Sequence, residues 1–420
     1  MSARFAYPAL NIECENKSKY KYIIQDAAED DCHVLYACSL FSHIPEHAGK
    51  RQLRQAESKV RENMKRWIVW MLAVLLAVFP LSGCGSETGE GKKTVNAPGE
   101  SDGLKIGISF DSFVIERWQR DRDVFVSTAQ SLGAEVNVQN ANGEVSEQIA
   151  QIKYLIEKGM DVIAIVAIDQ NALTDVVEEA RRLGIKIVSY DRLILNAGTD
   201  LYISFDNEMV GRLMAEALKD ALPEGGVLFR IEGSESDHNV DEVRKGFDEA
   251  LEGSDLKVLY SASCRNWLAE LAFDAVNEGL RETGTVDGVM CGNDDLAGQA
   301  IRALTEHKLA GKVPVVGQDA ELSGCQRIVE GTQSMTVFKD FDRQAELAAR
   351  FAAALGRGED IRSESASVFT RESIFDGKEE IPMVSIEPIA VTSDNIDEVI
   401  IDSGFHQKTD VYRNLISQHP

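Results

Sequence analysis

From Leu104 onward the chain repeats one unit: a short run rich in Val and Ile, then an amphipathic stretch of helical length that stops at a glycine. KIGISF leads to a helix ending at QSLG, AEVNVQNA to one ending at IEKG and VIAIVAI to one ending at RRLG, and KIVSYD closes the series. Glycine just past each helix suits the left-handed C-terminal cap, a backbone conformation that side chains with a Cβ resist. A continuous Val/Ile run reads as a strand buried on both faces, which belongs in a parallel sheet covered by helices. The rhythm restarts after YISFDN, where VLFRIEG, KVLYSA, GVMCGN, VPVVGQD and SMTVF are separated by helical stretches. Two arrays of roughly 100 to 130 residues each match ordinary domain sizes. They predict an α/β protein with two doubly wound parallel-sheet lobes.

Ligands of such sheets sit beyond the carboxyl ends of the strands, so the residues just after each strand are the ones to read for function. Those positions hold Asp191 and Arg192 after KIVSY, Asn293 after GVMCG, Asp319 after VPVVGQ and Lys339 after SMTVF. Asp237 and Asn239 follow VLFRIEG after a short loop, and Arg117 and Trp118 open the first helix. Any one of them could be a helix cap or a solvated loop charge, and Asp237 and Asp319 in particular are expected as N-caps. The set carries more weight than its members, because it places arginines, asparagines and carboxylates on one rim. Of four tryptophans, Trp67 and Trp70 fall in an apolar N-terminal run, which leaves Trp118 and Trp267, one on each lobe. Burial in the core is the alternative for both; their opposed placement favours a pair of aromatic plates.

That chemistry points to a sugar. Aromatic faces suit the C–H faces of a pyranose ring, and planar Asp, Asn and Arg side chains can bond two adjacent hydroxyls at once. Catalysis has little support: there is no dinucleotide fingerprint, no HExxH and no nucleophile-elbow serine. GEGKKT lacks the first glycine of a phosphate loop, since Ser86 stands there. No cofactor and no metal site is expected. The formal charge of −25 falls on residues 104–420, which hold 31 basic and 56 acidic residues. Such a body repels nucleic acid and anionic lipid headgroups. Cys264, Cys291 and Cys325 are odd in number and widely spaced, so free thiols are expected although one pair could form.

The N-terminal region reads differently. Met64 precedes Lys65 and Arg66, thirteen apolar residues from Trp67 to Phe79, Pro80, and then Leu81-Ser82-Gly83-Cys84. Thirteen residues make about 20 Å of helix, short of the roughly twenty residues a bilayer core needs. Cations, short apolar core and small residues in that order form an export signal, and LSGC resembles the lipobox of bacterial lipoproteins. Cys84 is the expected lipidation site. Residues 1–63 hold Cys14, Cys32, Cys38, His33, His43 and His47 at no standard zinc spacing. They read as a non-native extension ahead of a true start at Met64. Residues 85–103, rich in Gly, Ser and charge, read as a flexible tether.

The stretches ERWQRDRDVF, GMDVIAI, SYDR, YISFDNE, CGNDDLAG, VVGQDAEL, GTQSMTVFK and DSGFH resemble the pentose/hexose solute-binding family that feeds ABC transporters. The likeness runs from about Lys105 to His406. It implies a type I periplasmic-binding fold, its lobes joined by a three-stranded hinge: residues 104–206 with 340–384, and residues 207–339 with 385–420. It implies no enzyme activity, a monosaccharide ligand with D-xylose foremost, a monomer, and sugar contacts at Arg117, Trp118, Arg192, Asp237, Asn239, Trp267, Asn293, Asp319 and Lys339, with Asp191 as a weaker member. The implied membrane partner is an ABC permease or, alternatively, a sensor kinase, met outside the cell membrane by a lipid-anchored protein. Three departures stand out: His238 in place of an amide, SASCRNW without the usual aromatic and acidic residues, and Asp340 in place of a proline.

Overall fold

A computed structural model describes residues 4–7, 10–14, 22–25, 103–115, 117–361 and 373–416. The chain divides into two compact units, Met1–Ala97 and Pro98–Pro420. In the first, strands β1 (Arg4–Tyr7), β2 (Leu10–Cys14) and β3 (Tyr22–Gln25) form an antiparallel meander, which the sequence pattern does not announce. The export signal, Cys84, residues 85–102 and the cysteines and histidines between 32 and 47 lie outside the described residues.

The second unit begins with β4 (Lys105–Phe110), α1 (Arg117–Ser131), β5 (Glu135–Asn140), α2 (Val145–Glu157), β6 (Val162–Ile165), α3 (Thr174–Arg182), β7 (Lys186–Tyr190) and β8 (Leu201–Phe205). Gly133, Gly159 and Gly184 follow the three helices with φ of +82°, +67° and +86°, the left-handed caps expected of them. The chain then continues through α4 (Asn207–Ala221), β9 (Gly226–Glu232), α5 (His238–Leu251), β10 (Leu256–Ser263), a short 3₁₀ turn (Arg265–Trp267) and α6 (Glu270–Thr283). β11 (Gly288–Cys291), α7 (Asp294–Glu306), β12 (Val315–Gln318), α8 (Leu322–Val329) and β13 (Met335–Phe338) complete that series. Then come α9 (Phe341–Gly356), β14 (Ser373–Phe375), β15 (Glu380–Ile386) and β16 (Ile389–Val391), followed by a π-helical turn (Asp397–Ile401) and the short helices α10 (Lys408–Val411) and α11 (Arg413–Ile416).

One sheet has the order β14-β15-β8-β7-β6-β4-β5 and the other β10-β9-β11-β12-β13-β16, parallel except at β14 and β16. The strands facing helices on both sides are buried along their length, as at Val162–Ile165 and Gly288–Cys291. The fold is the type I periplasmic-binding fold, and the chain passes between lobes three times: after β8, after β13 and after β15. The expected boundary between residues 384 and 385 cuts into β15. Ser385 and Ile386 still pair with Ser204 and Phe205 of β8, so the third passage comes after Ile386.

Small residues set the closest packing. Gly211 on α4 and Gly246 on α5 let the two helix backbones touch; a Cβ would lie 1.9 Å from the Val243 carbonyl and 1.8 Å from that of Glu208. In α9 the buried Ala345, Ala348, Ala349 and Ala352 let this helix lie against the first-lobe sheet and α1. The cysteines Cys264, Cys291 and Cys325 are all free and buried. Cys264 directly follows β10 and Cys291 ends β11, with β9 between the two strands. Two strand spacings of about 4.8 Å exceed the reach of a disulfide.

Candidate functional site

The carboxyl ends of both sheets face one seam, and nine of the ten residues singled out in the sequence join there in a continuous chain of contacts. Arg117, the first residue of α1, donates to Asp191 Oδ2 at 2.8 Å and lies 3.9 Å from Asp319 Oδ1 on the opposite lobe. Lys339, in the second passage between lobes just after β13, approaches the same Asp319 oxygen at 2.7 Å. Asn239 donates to Asp191 Oδ1 at 3.2 Å across the seam. Arg192 pairs with Asp237 Oδ2 at 2.8 Å, again lobe to lobe. Asn293 touches none of these; its Oδ1 caps α7 by accepting from Leu296 N at 2.9 Å.

The two tryptophans are buried, 1% and 8% exposed. Trp118 packs on Phe110 and under the Arg117 guanidinium, 4.1 Å from its ring centre, with Arg192 at 5.5 Å. Trp267 lies on two glycines: a Cβ at Gly233 would meet its ring at 2.3 Å and one at Gly292 at 3.2 Å. Its Nε1 donates to Asp237 Oδ2 at 3.2 Å, the oxygen that Arg192 also holds. The indoles therefore flank the Arg192–Asp237 pair. Asn266 and Trp267 have φ of +53° and +57°, a left-handed turn costly for side chains of this size.

Partners of these residues that sequence reading missed complete the network. Asp111 holds Arg192 NH1 at 2.7 Å. Asp121 lies one helical turn beyond Arg117 and accepts from its Nε at 3.5 Å and from the Tyr190 hydroxyl. That i, i+4 spacing within ERWQRD was a legible signal. Gln344 on α9 was not: it accepts from Arg117 NH2 at 3.0 Å and donates to Asp191 Oδ2 at 3.2 Å from 227 and 153 positions away. Phe341 faces the Arg117 guanidinium at 4.0 Å, opposite Trp118.

Two expectations about caps divide. Asp237 caps α5, its Oδ1 accepting from Asn239 N at 3.0 Å. Asp319 caps nothing, because α8 begins three residues later with Glu321 at the N-cap; its carboxylate faces Lys339 and Arg117 instead. Two of the departures also find local reasons. His238 Nδ1 pairs with Gln170 Oε1 of the other lobe at 3.2 Å, beside the Gln170 N to Ser236 O bond of 2.9 Å. Asp340 caps α9, accepting from Arg343 N at 3.0 Å. Next to these closing contacts lies a groove of about 680 Å³, lined by Gly143, Ser146 and Asp169 from one lobe and Ser234, Ser236 and Asn266 from the other.

Electrostatics divide the carboxylates. Burial pushes Asp191 up, but Arg117, Lys339 and Arg192 outweigh it and hold the group below its ordinary value. Burial wins at Asp237, raised despite Arg192, and at Asp121, raised to about 6 despite Arg117. Asp294, beside Asn293, rises to about 7 through burial, partly offset by Arg327. A carboxyl whose folded value exceeds its unfolded one stabilises fully below the unfolded pKa and loses that contribution as pH rises through the folded value. Stability should therefore drop between about pH 4 and pH 7 on account of Asp294 and Asp121. Carboxyl ¹³C titration should place the Asp294 midpoint near 7; a midpoint in the ordinary range near 4 would refute this.

Several buried polar atoms at the seam make no hydrogen bond: Trp118 Nε1, Asn293 Nδ2, Gln318 Oε1 and Asp319 Oδ1, the last held by ion pairs with Lys339 and Arg117. Native proteins rarely leave such atoms unpaired, and where they do the group asks for an explanation.

Two parallel-sheet lobes, three hinge passages and a polar seam between the sheet ends define a class: the two-lobed binding proteins. The chain belongs to the periplasmic binding protein family, whose domain model matches residues 106–360. This is a family of binding proteins, not of enzymes. A D-xylose-binding periplasmic protein of Haemophilus influenzae is 42% identical over 317 residues, 74% of this chain and 93% of that one. The protein so described from Escherichia coli is 39% identical over 321 residues, 75% and 95% of the two chains. An ABC transporter solute-binding protein from Clostridium phytofermentans, solved with bound β-D-glucose, superposes with a TM-score of 0.66 at 27% identity, covering 73% of this chain and 99% of that one.

Proposed function

We propose that the protein binds a monosaccharide, D-xylose foremost, between its lobes and presents the closed form to an ABC permease. The observation that carries this reading is the set of buried polar atoms without a hydrogen bond on Trp118, Asn293 and Gln318, beside the ion-paired Asp319 carboxylate and planar side chains from both lobes. Each sugar hydroxyl both donates and accepts, so it can pair with an indole N–H, an amide N–H or a carboxylate oxygen. The D-xylose-binding relatives, aligned over about three quarters of the chain, support the choice of sugar. Arg117, Trp118, Asp191, Arg192, Asp237, Asn239, Trp267, Asn293, Asp319 and Lys339 form the binding set. Asp191–Asn239 and Arg192–Asp237 bridge the seam directly. Sugar entry then requires the hinge to open these bridges, and the ligand's hydroxyls take their place as the lobes close. The protein works outside the cell membrane, anchored by lipid on Cys84, with more than one acyl chain because a single chain holds only marginally.

A thermal-shift panel with xylose, ribose, arabinose, glucose and galactose tests the reading. Ligand at 100 times its dissociation constant should add about 2.7 kcal/mol of stability. Silence with every sugar would end the proposal. Asp319→Ala should weaken the response about tenfold or more, since it removes a charged acceptor; an undiminished response would remove Asp319 from the site. The anchor is checked by N-terminal mass analysis of the membrane fraction, where an unmodified Cys84 would refute it.

A further inference from the structure

The stretch DSGFH, residues 402–406, lies far along the chain from every binding residue, and its last two members reach both the hinge and the binding loop. His406 Nε2 lies 2.8 Å from the Ala320 carbonyl oxygen. A carbonyl only accepts, so this nitrogen carries the proton and donates. Asp319 and Ala320 have φ of +91° and +48°, two successive non-glycine residues in the left-handed region. Such a backbone persists only where its surroundings hold it. The holders are few: Asp319 N donates to Val337 O at 2.8 Å, Ala320 N to Thr336 Oγ1 at 3.1 Å, and the Ala320 carbonyl accepts from His406 Nε2 at 2.8 Å and, at a longer 3.5 Å, from the Cys325 thiol.

Phe405 seats the histidine. Its ring meets Phe338 edge-on at 4.8 Å and Phe341 at 6.0 Å, the residues on either side of the Lys339–Asp340 passage between lobes. Arg120 of the first lobe stacks on the same ring at 4.2 Å and donates to the Phe405 carbonyl at 3.0 Å, while Asp342 holds its other nitrogens at 2.7 and 2.6 Å. One side of this segment thus rests on the hinge, and the other fixes the backbone that aims the Asp319 carboxylate at Lys339 and Arg117.

We propose that His406 is a positioning residue for ligand binding: its Nε2–H holds the Asp319–Ala320 turn, and Phe405 ties that hold to the hinge. The inference rests on the sugar-binding reading for its affinity effect and on this structure alone for its effect on the turn.

The test uses the full chain with D-xylose as probe and four variants: His406→Met, His406→Gln, Asp319→Asn and the Asp319→Asn/His406→Met double. His406→Met removes the donor and keeps the bulk; His406→Gln places an amide N–H where Nε2 stands. His406→Met should weaken D-xylose binding about tenfold, the scale of a lost hydrogen bond, and His406→Gln should restore most of it. In an Asp319→Asn background, His406→Met should cost little more, because residues acting through one another are not additive. Equal losses in the Met and Gln variants, or full additivity, would overturn the assignment. The ¹⁵N amide signals of Asp319 and Ala320 should move in His406→Met and hold in His406→Gln with no sugar present. Unmoved signals would defeat the inference whether or not sugar binds, whereas silence of the unmodified protein toward every sugar defeats only the binding reading.

Discussion

Replacing Arg117 with methionine should lower the unfolding free energy by about 3–5 kcal/mol, the cost of leaving a buried charge without its partner. Arg117 is 5% exposed and meets Asp121, Asp191 and Asp319, all buried. Methionine fills the slot between Trp118 and Phe341 but answers none of the three carboxylates. In the parent protein Asp191 sits below its ordinary pKa and Asp121 is raised to about 6. Without the guanidinium both rise, so the folded variant binds protons more tightly than the unfolded chain. Its deficit should then shrink as pH falls from 7 toward 5 and grow as pH rises. Denaturant unfolding at three pH values measures this; a deficit that is constant with pH, or below about 1 kcal/mol, would mean that the carboxylates do not depend on Arg117.

Trp267→Ala should cost about 3–5 kcal/mol of stability, the range for removing a buried aromatic. It should also weaken sugar binding by about 2 kcal/mol or more, a loss typical of an aromatic anchor and roughly 30-fold in affinity. Two effects coincide because the indole both fills the space over Gly233 and Gly292 and donates to Asp237. Gly233→Ala separates them. Its Cβ would lie 2.3 Å from the ring, so the indole must move while every polar group of the seam remains. Calorimetry with D-xylose should then find affinity lowered with a smaller loss of stability than in Trp267→Ala. Unchanged affinity in Gly233→Ala would show that the position of the indole does not matter to the ligand.

Much of the candidate site was legible because strand ends are legible. A Val/Ile run that stops at Asp, Asn or Arg marks a sheet's carboxyl edge, and Asp191, Arg192, Asn293 and Asp319 were read that way. Asp121 could have been read from its spacing to Arg117. Gln344, Phe341, Phe405 and His406 could not, because each comes from a segment that a hinge passage returns to the seam. The cap assigned to Asp319 failed for a related reason. A carboxylate before a helix suits a cap locally, but α8 begins too late, and two cations from other elements claim the group.

The sequence by itself determined the alternation of strands and helices, the count of lobes and the glycine caps. These depend on periodicity and backbone sterics within a few residues. Only the tertiary structure decided that Arg192 faces Asp237, that Asn239 faces Asp191, and that Trp267 rests on two glycines rather than standing open as a plate. Those contacts join residues from different lobes or strands. Their geometry follows from where three hinge passages set one sheet against the other, a quantity that no local pattern encodes.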